Sequence, residues 1–121
     1  MITLEDIHKP VTAELEAFDD FVERQFTAEG ELLSDMLRYA LSTRGKGIRP
    51  MLVMLSAAMN APVKGASMGR RACLAAMLVE MIHVASLIHD DVIDESDMRR
   101  GKPSANARWQ SHKAVILGDY I

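Results

Sequence analysis

Cysteine, aromatic residues and positive charge are all scarce in this chain, and each scarcity removes a class of protein. A single cysteine, Cys73, leaves no internal disulfide and no cysteine-built zinc site, and fits a reducing compartment. It lies in an apolar run and reads as a small buried residue. Aromatic residues make up only 5%, while Ala, Leu and Met are plentiful, which favours helix over sheet. The net charge of −3 gives no basic footprint, so no nucleic-acid partner is expected. The N-terminal MITLEDIHKP carries early acids and no apolar core, unlike a signal peptide. The most apolar run, residues 72–88, is interrupted by Glu80, His83 and Ser86. It reads as a buried helix, not a transmembrane segment. A soluble cytoplasmic protein is the expectation.

What is present is ordinary for a folded chain: 121 residues, 49% apolar and 26% charged. That is one domain or part of one, and it excludes a disordered polar chain. Thr3 can cap a first helix, along which Ile7, Val11, Leu15, Phe18, Val22 and Phe26 recur at steps of three and four. Pro10 sits near its start or at a kink. Gly30 ends that segment, and Leu33, Met36, Leu37, Ala40 and Leu41 mark a second helix. STRGKG (42–47) is a loop, and Pro50 suits the first turn of a third helix. NAPVKG breaks that helix at 60–65, and Ser67 can cap a fourth running from about residue 68 to about 97. RRGKPS breaks the fourth, and a fifth begins near Asn106. The pattern is still apolar at Ile121, without a stop signal. Five such helices cannot easily bury so much apolar surface, so the expectation is an N-terminal piece of a larger all-helical protein, or a chain that pairs with another.

On the fourth helix, Glu80, His83, Ser86, Asp90, Asp94 and Asp97 fall on one face at about 100° per residue. A helix C-terminus disfavours carboxylates, by a few tenths to about 1 kcal/mol each. Two readings stand: a solvated acidic end, or a bound cation. Asp90 and Asp94, at i and i+4, can converge on one ion. An oxygen-only donor set suits a hard cation, Mg²⁺ above all, shared with substrate phosphate. Arg99 and Arg100 follow on a Gly/Pro loop, and arginine forks phosphate in a bidentate grip. They equally suit pairing with Asp94, Glu95 and Asp97. In RGKGIRP, Lys46 and Arg49 flank a glycine ahead of a helix N-terminus, which favours anions. His83 aligns with the two aspartates. His89 lies well off that face and reads as structural.

GKGIRP (45–50), EMIHVASLIHDDVID (80–94), DMRRGKPS (97–104) and AVILGDYI (114–121) together resemble the trans-isoprenyl diphosphate synthases, the polyprenyl synthetase family. The four blocks match in order and spacing over most of the chain after residue 44. The resemblance implies an all-α fold, with residues 1–121 as the N-terminal part of one domain: the first helices of an isoprenoid-synthase-type antiparallel bundle around a central cavity, usually in a homodimer. It implies a prenyltransferase that condenses an allylic prenyl diphosphate with isopentenyl diphosphate, by Mg²⁺-assisted loss of diphosphate. Asp90 and Asp94 match the outer aspartates of the first aspartate-rich motif and Asp91 its middle one, as metal-holding residues. Arg99 matches the arginine that contacts the allylic diphosphate. Arg100, Lys46, Arg49 and His83 match contacts to isopentenyl diphosphate, with Gly45 in the same block. Gly47 stands where a basic residue is common.

In this family the residues one turn before the first aspartate line the tail pocket. Ser86 and Ala85 there are small, with Ile82 and Met81 on the next turn. The expected product is a medium- or long-chain polyprenyl diphosphate, octaprenyl-type, such as a quinone tail. The family's second aspartate-rich motif has no counterpart here, so this chain alone is expected to lack full activity. Two alternatives compete. One is a non-catalytic subunit of a heteromeric synthase. The other is an HD-type metal phosphohydrolase built on His89 and Asp90, for which His8 and His112 are the only further histidines beside His83.

Overall fold

The computed structural model of the chain describes residues 1–26, 30–61 and 69–121. The expected cap Ser67, and the 62–65 part of the break before it, lie outside the described residues. The described elements are seven α-helices, one 3₁₀ turn and one short hairpin. They fall into two compact units, Met1–Gln25 with Gly47–Glu80, and Phe26–Lys46 with Met81–Ile121.

In the first unit, Thr3 caps α1 (Leu4–His8) through a reciprocal capping box with Asp6. The backbone N–H of Thr3 holds the Asp6 carboxyl below its ordinary range, with Lys9 and the Thr3 hydroxyl adding to this. Pro10 lies in a 3₁₀ turn, Lys9–Val11, that separates α1 from α2 (Thr12–Gln25). The single first helix expected from periodicity is therefore broken, because proline supplies no N–H to continue the ladder. The turn and α2 pack on α4 (Ile48–Met59), and the buried residues are Val11, Phe18 and Val22 on one side and Pro50, Met51 and Met54 on the other. Gly47 starts α4 from a left-handed conformation (φ 66°), open to glycine without strain.

In the second unit, α3 (Glu31–Ser42) buries Met36, Leu37 and Ala40, and packs on α7 (Ser111–Tyr120). The expected fifth helix is two pieces, α6 (Ala105–Trp109) and α7. Gln110, at φ 77°, turns the chain between them. Ser104, not Asn106, is the entry: its hydroxyl accepts from the Ala107 N–H at 3.3 Å. Arg108 stacks over the rings of both Tyr39 and Trp109, 4.4 and 4.5 Å from their centroids, and clasps α3 to α6.

The long helix α5 (Gly69–Ile93) spans both units. Its first half buries Ala72, Ala76 and Glu80, and its second half Met81, Val84, Ile88 and Asp91. By length and composition α5 is apolar enough to cross a membrane. It is not the wholly buried helix expected: Leu74, Leu78, Val79 and Ile82 are exposed, Leu78 and Ile82 at 63%.

Helix α5 stops at Ile93, four residues short of the expected end. The Ser96 N–H donates to the Asp91 carbonyl (2.9 Å) and the Glu95 N–H to that of Val92 (3.3 Å), with Glu95 left-handed at φ 51°. This is a Schellman cap with glutamate where glycine is usual. A Cβ in that conformation costs about 1–2 kcal/mol. Glu95→Gly is expected to raise stability by about 0.5–1 kcal/mol, part of the relief being lost to the freer unfolded chain. A higher thermal midpoint checks this, and a lower one contradicts the cap.

Candidate active site

The early stop of α5 reorganises the acidic end. Asp94 is the first residue past the helix, its N–H still bonded to the Asp90 carbonyl at 2.8 Å. Asp90 and Asp94 are therefore one turn apart and both exposed. Asp97 leaves the helical face altogether: its carbonyl accepts from the Ser104 N–H at 2.8 Å in the loop. The expected single polar face also divides along α5. Glu80 is buried at 3% exposure, His83 is half-buried, and Ser86 and Asp90 are exposed. Steps of three residues drift about 60° round a helix, so a seam drawn through 80, 83 and 86 crosses from core to surface.

Beyond the cap, β1 (Met98–Arg99) and β2 (Lys102–Pro103) form an antiparallel hairpin, with Arg99 opposite Lys102. The two turn residues, Arg100 at φ 50° and Gly101 at φ 77°, are both left-handed, as a type I′ turn demands. Asn or Asp is the usual first residue there, and its replacement by arginine hid the hairpin from a reading of sequence alone. The Ser104 hydroxyl donates to the Ser96 carbonyl at 2.6 Å, and the Asn106 amide donates to the same oxygen at 3.1 Å. From α3, the Tyr39 hydroxyl donates to the Pro103 carbonyl at 2.6 Å. Tyr39 and Ser104 were not among the expected site residues. They hold backbone, and no sequence motif marks that role.

Arg99 donates through Nε to Asp91 Oδ2 at 3.0 Å and through Nη2 to Oδ1 at 2.5 Å. Asp91 holds the guanidinium more firmly in its charged form. Burial opposes that, and the fields of Asp90 and Asp94 add to it. Among the described residues, no side chain bonds to the carboxylates of Asp90 or Asp94. Arg100 lies against Gly45, where a Cβ would occupy the space of its guanidinium. The glycine and hairpin blocks thus meet at these two residues. Gly45→Ala pushes only on the end of a flexible side chain. It should leave the thermal midpoint nearly unchanged while displacing Arg100. If Arg100 binds an anion, the loss of one charge-assisted hydrogen bond, about 1.5–3 kcal/mol, predicts at least a tenfold weaker grip on it. An unchanged KM for every substrate would count against this seat.

Lys46 is exposed in the α3–α4 loop and belongs to the second unit. Arg49 is exposed in the first turn of α4, in the first unit. His83 is half-buried on α5, and its carbonyl accepts from the Ser86 hydroxyl at 2.8 Å. Ile82, Ser86 and Asp90, four residues apart, form an exposed column along α5, whereas Ala85 is half-buried and Met81 buried. His89 has the structural place expected of it. Its Nε2 is 3.1 Å from the Val115 carbonyl, which can only accept, and 3.4 Å from Asp119 Oδ1. Gly118 makes this approach possible, since a Cβ there would strike the His89 ring. That engagement with α7 removes the main support for the HD-type reading.

The donor chemistry fits Mg²⁺. The described residues hold no cluster of three or more His, Cys, Asp or Glu side chains, which a dedicated metal cage requires. Two open carboxylates one turn apart suit an ion that keeps its waters and shares substrate phosphate.

The family model for polyprenyl synthetase matches residues 30–121. The chain belongs to the polyprenyl synthetase family. It is 35% identical over 117 residues to an all-trans-nonaprenyl-diphosphate synthase (geranyl-diphosphate specific) of Rhodobacter capsulatus, covering 97% of this chain and 35% of that one. It is 37% identical over 120 residues to the octaprenyl diphosphate synthase of Escherichia coli, covering 99% and 36%. The crystal structure of a decaprenyl diphosphate synthase from Rhodobacter capsulatus superposes with a TM-score of 0.81 at 32% identity, over 96% of this chain and 34% of that one. The all-α, isoprenoid-synthase-type fold is thereby established. The chain spans about a third of the length of these relatives.

Proposed function

We propose that this chain is the N-terminal part of a cytoplasmic trans-polyprenyl diphosphate synthase of the medium- to long-chain kind. Its family, and relatives named for octaprenyl and nonaprenyl products, support the substrate class: an allylic prenyl diphosphate and isopentenyl diphosphate. The observation that carries the reading is the acid–base layout at the end of α5. Asp90 and Asp94 stand open one turn apart, and Arg99 is fixed beside them by Asp91.

Each residue has a task in that reaction. Asp90 and Asp94 would hold Mg²⁺, which when bound neutralises the departing diphosphate. Arg99 grips the allylic diphosphate and lowers the cost of charge building on its leaving oxygen. Arg100, Lys46 and His83 bind isopentenyl diphosphate, Gly45 leaving room for Arg100. The carbon–oxygen bond breaks with its electron pair leaving on the diphosphate, the isopentenyl double bond attacks the resulting allylic cation, a proton leaves the adduct, and the chain grows by one isoprene unit. The exposed apolar face of α5 excludes water from the cation and lies along the growing tail. The complete enzyme acts as a homodimer.

The test is elongation of an allylic primer by labelled isopentenyl diphosphate with Mg²⁺, in the protein carried to the full length of its relatives. Appearance of polyprenyl product is the expected result. Absence of elongation by a folded protein refutes the reading, and would move the chain to the role of a non-catalytic subunit.

A further inference from the structure

We propose that Asp91, the middle acid of the motif, is a positioning residue that sets the orientation of Arg99 and is not a ligand of the cation; this rests on the reading of the site given above. The Asp91 side chain is 6% exposed, while Asp90 and Asp94 face solvent. Asp91 lies in the buried stripe of α5 beside Ile88 and Val84. Both its oxygens are taken by one edge of the Arg99 guanidinium. A hydrated ion reaches this carboxylate only by opening that pair, and the pair resists separation because Asp91 would be left charged and buried, while Arg99 keeps about a third of its side chain exposed.

The pairing leaves Arg99 its chemistry. A guanidinium has five N–H donors, and a side-on carboxylate uses two, one on Nε and one on Nη2. Three remain, among them both on Nη1. The outer edge is thus a second fork that fits a phosphate while the inner edge stays on Asp91. The backbones of both partners are fixed by the same local structure. The Asp91 carbonyl accepts the Ser96 N–H of the helix cap, and Arg99 follows three residues later in the hairpin. Asp91 therefore converts a long, mobile side chain into an oriented one before substrate arrives, which reduces the ordering left for binding. Lysine cannot replace Arg99 in this arrangement, because a single ammonium cannot present two forks.

The experiment compares Asp91→Asn, Arg99→Gln, the double variant and Asp90→Asn in the full-length enzyme. Positioning predicts that Asp91→Asn raises KM for the allylic diphosphate at least tenfold and leaves the Mg²⁺ half-saturation within twofold of wild type. Asp90→Asn should shift that half-saturation instead. Because Asp91 acts through Arg99, the double variant should match Arg99→Gln within twofold. A shifted Mg²⁺ requirement in Asp91→Asn, or losses that multiply in the double variant, overturns the proposal. A readout without turnover guards against inactive or unstable variants. Hydrogen exchange at Arg99 Nε, followed by NMR, should accelerate at least tenfold in Asp91→Asn, and unchanged exchange also overturns it. A wild-type enzyme that makes no product sinks the functional reading alone, because the exchange measurement still decides this one.

Discussion

Asp90→Asn and Asp94→Asn should each lower turnover of the full-length enzyme by about a thousandfold or more without destabilising it. A bound metal supplies several kcal/mol of charge stabilisation at a departing diphosphate, and every 1.4 kcal/mol is tenfold in rate. Two carboxylates are a minimal set for such an ion, so losing one charge weakens the site severely. Stability should move the other way. Both side chains are exposed and without side-chain partners among the described residues. Both stand at a helix C-terminus, where a negative charge is unfavourable by about 0.3–1 kcal/mol. The melting temperature should therefore hold or rise slightly as activity collapses. Thermal melts beside an elongation assay over a range of Mg²⁺ concentrations check both halves. Normal activity with unchanged Mg²⁺ dependence would mean that the acids are only a solvated helix end.

Ser86→Phe should shorten the product more than any other single change on α5. Ser86 is exposed on the column that carries Asp90, four residues or about 6 Å farther along. On the proposed reading, a phenyl ring there would stand across the path of a tail whose diphosphate is held through Mg²⁺ at Asp90. Ile82→Phe, one turn deeper on the same column, should stop the chain later and give an intermediate product. The structure separates these positions from their neighbours. Met81 is buried at 5% exposure, so Met81→Phe should disturb packing and leave product length alone. Ala85 is half-buried, and a phenyl ring there should cost stability along with any shortening. Mass analysis of the dephosphorylated products orders the series. A distribution that does not respond to Ser86→Phe removes this face of α5 from the tail path.

Much of this was legible from residues 80–104. Two acids four apart at the end of an apolar helix, followed by paired arginines, left a bound hard cation and a solvated acidic end both open. The family resemblance assigned roles to the same residues. What was not legible depended on backbone conformations that these side chains do not advertise. Glu95 and Arg100 are left-handed where glycine or asparagine is usual, so neither the early end of α5 nor the hairpin had a signal. Gln110 likewise divides the last helix at a residue with no turn preference. The polar seam was misplaced because a helical period gives relative angles, and only packing decides which angle faces the core.

By itself the sequence determined the helical class, the apolar stripes and the residue types gathered at the end of α5, because periodicity and residue type are local properties. Only the tertiary structure decided the division of labour among the charges. Asp90, Asp91 and Asp94 are identical groups within five residues, and their difference lies in surroundings: two face solvent, and one is buried against Arg99. Likewise Arg99 and Arg100 are adjacent, yet a carboxylate orients one and the bare backbone of Gly45 makes room for the other. Burial and partner set what a charged side chain does, and both are decided by how the chain folds back, over eight residues for Asp91 and Arg99 and over 55 for Gly45 and Arg100.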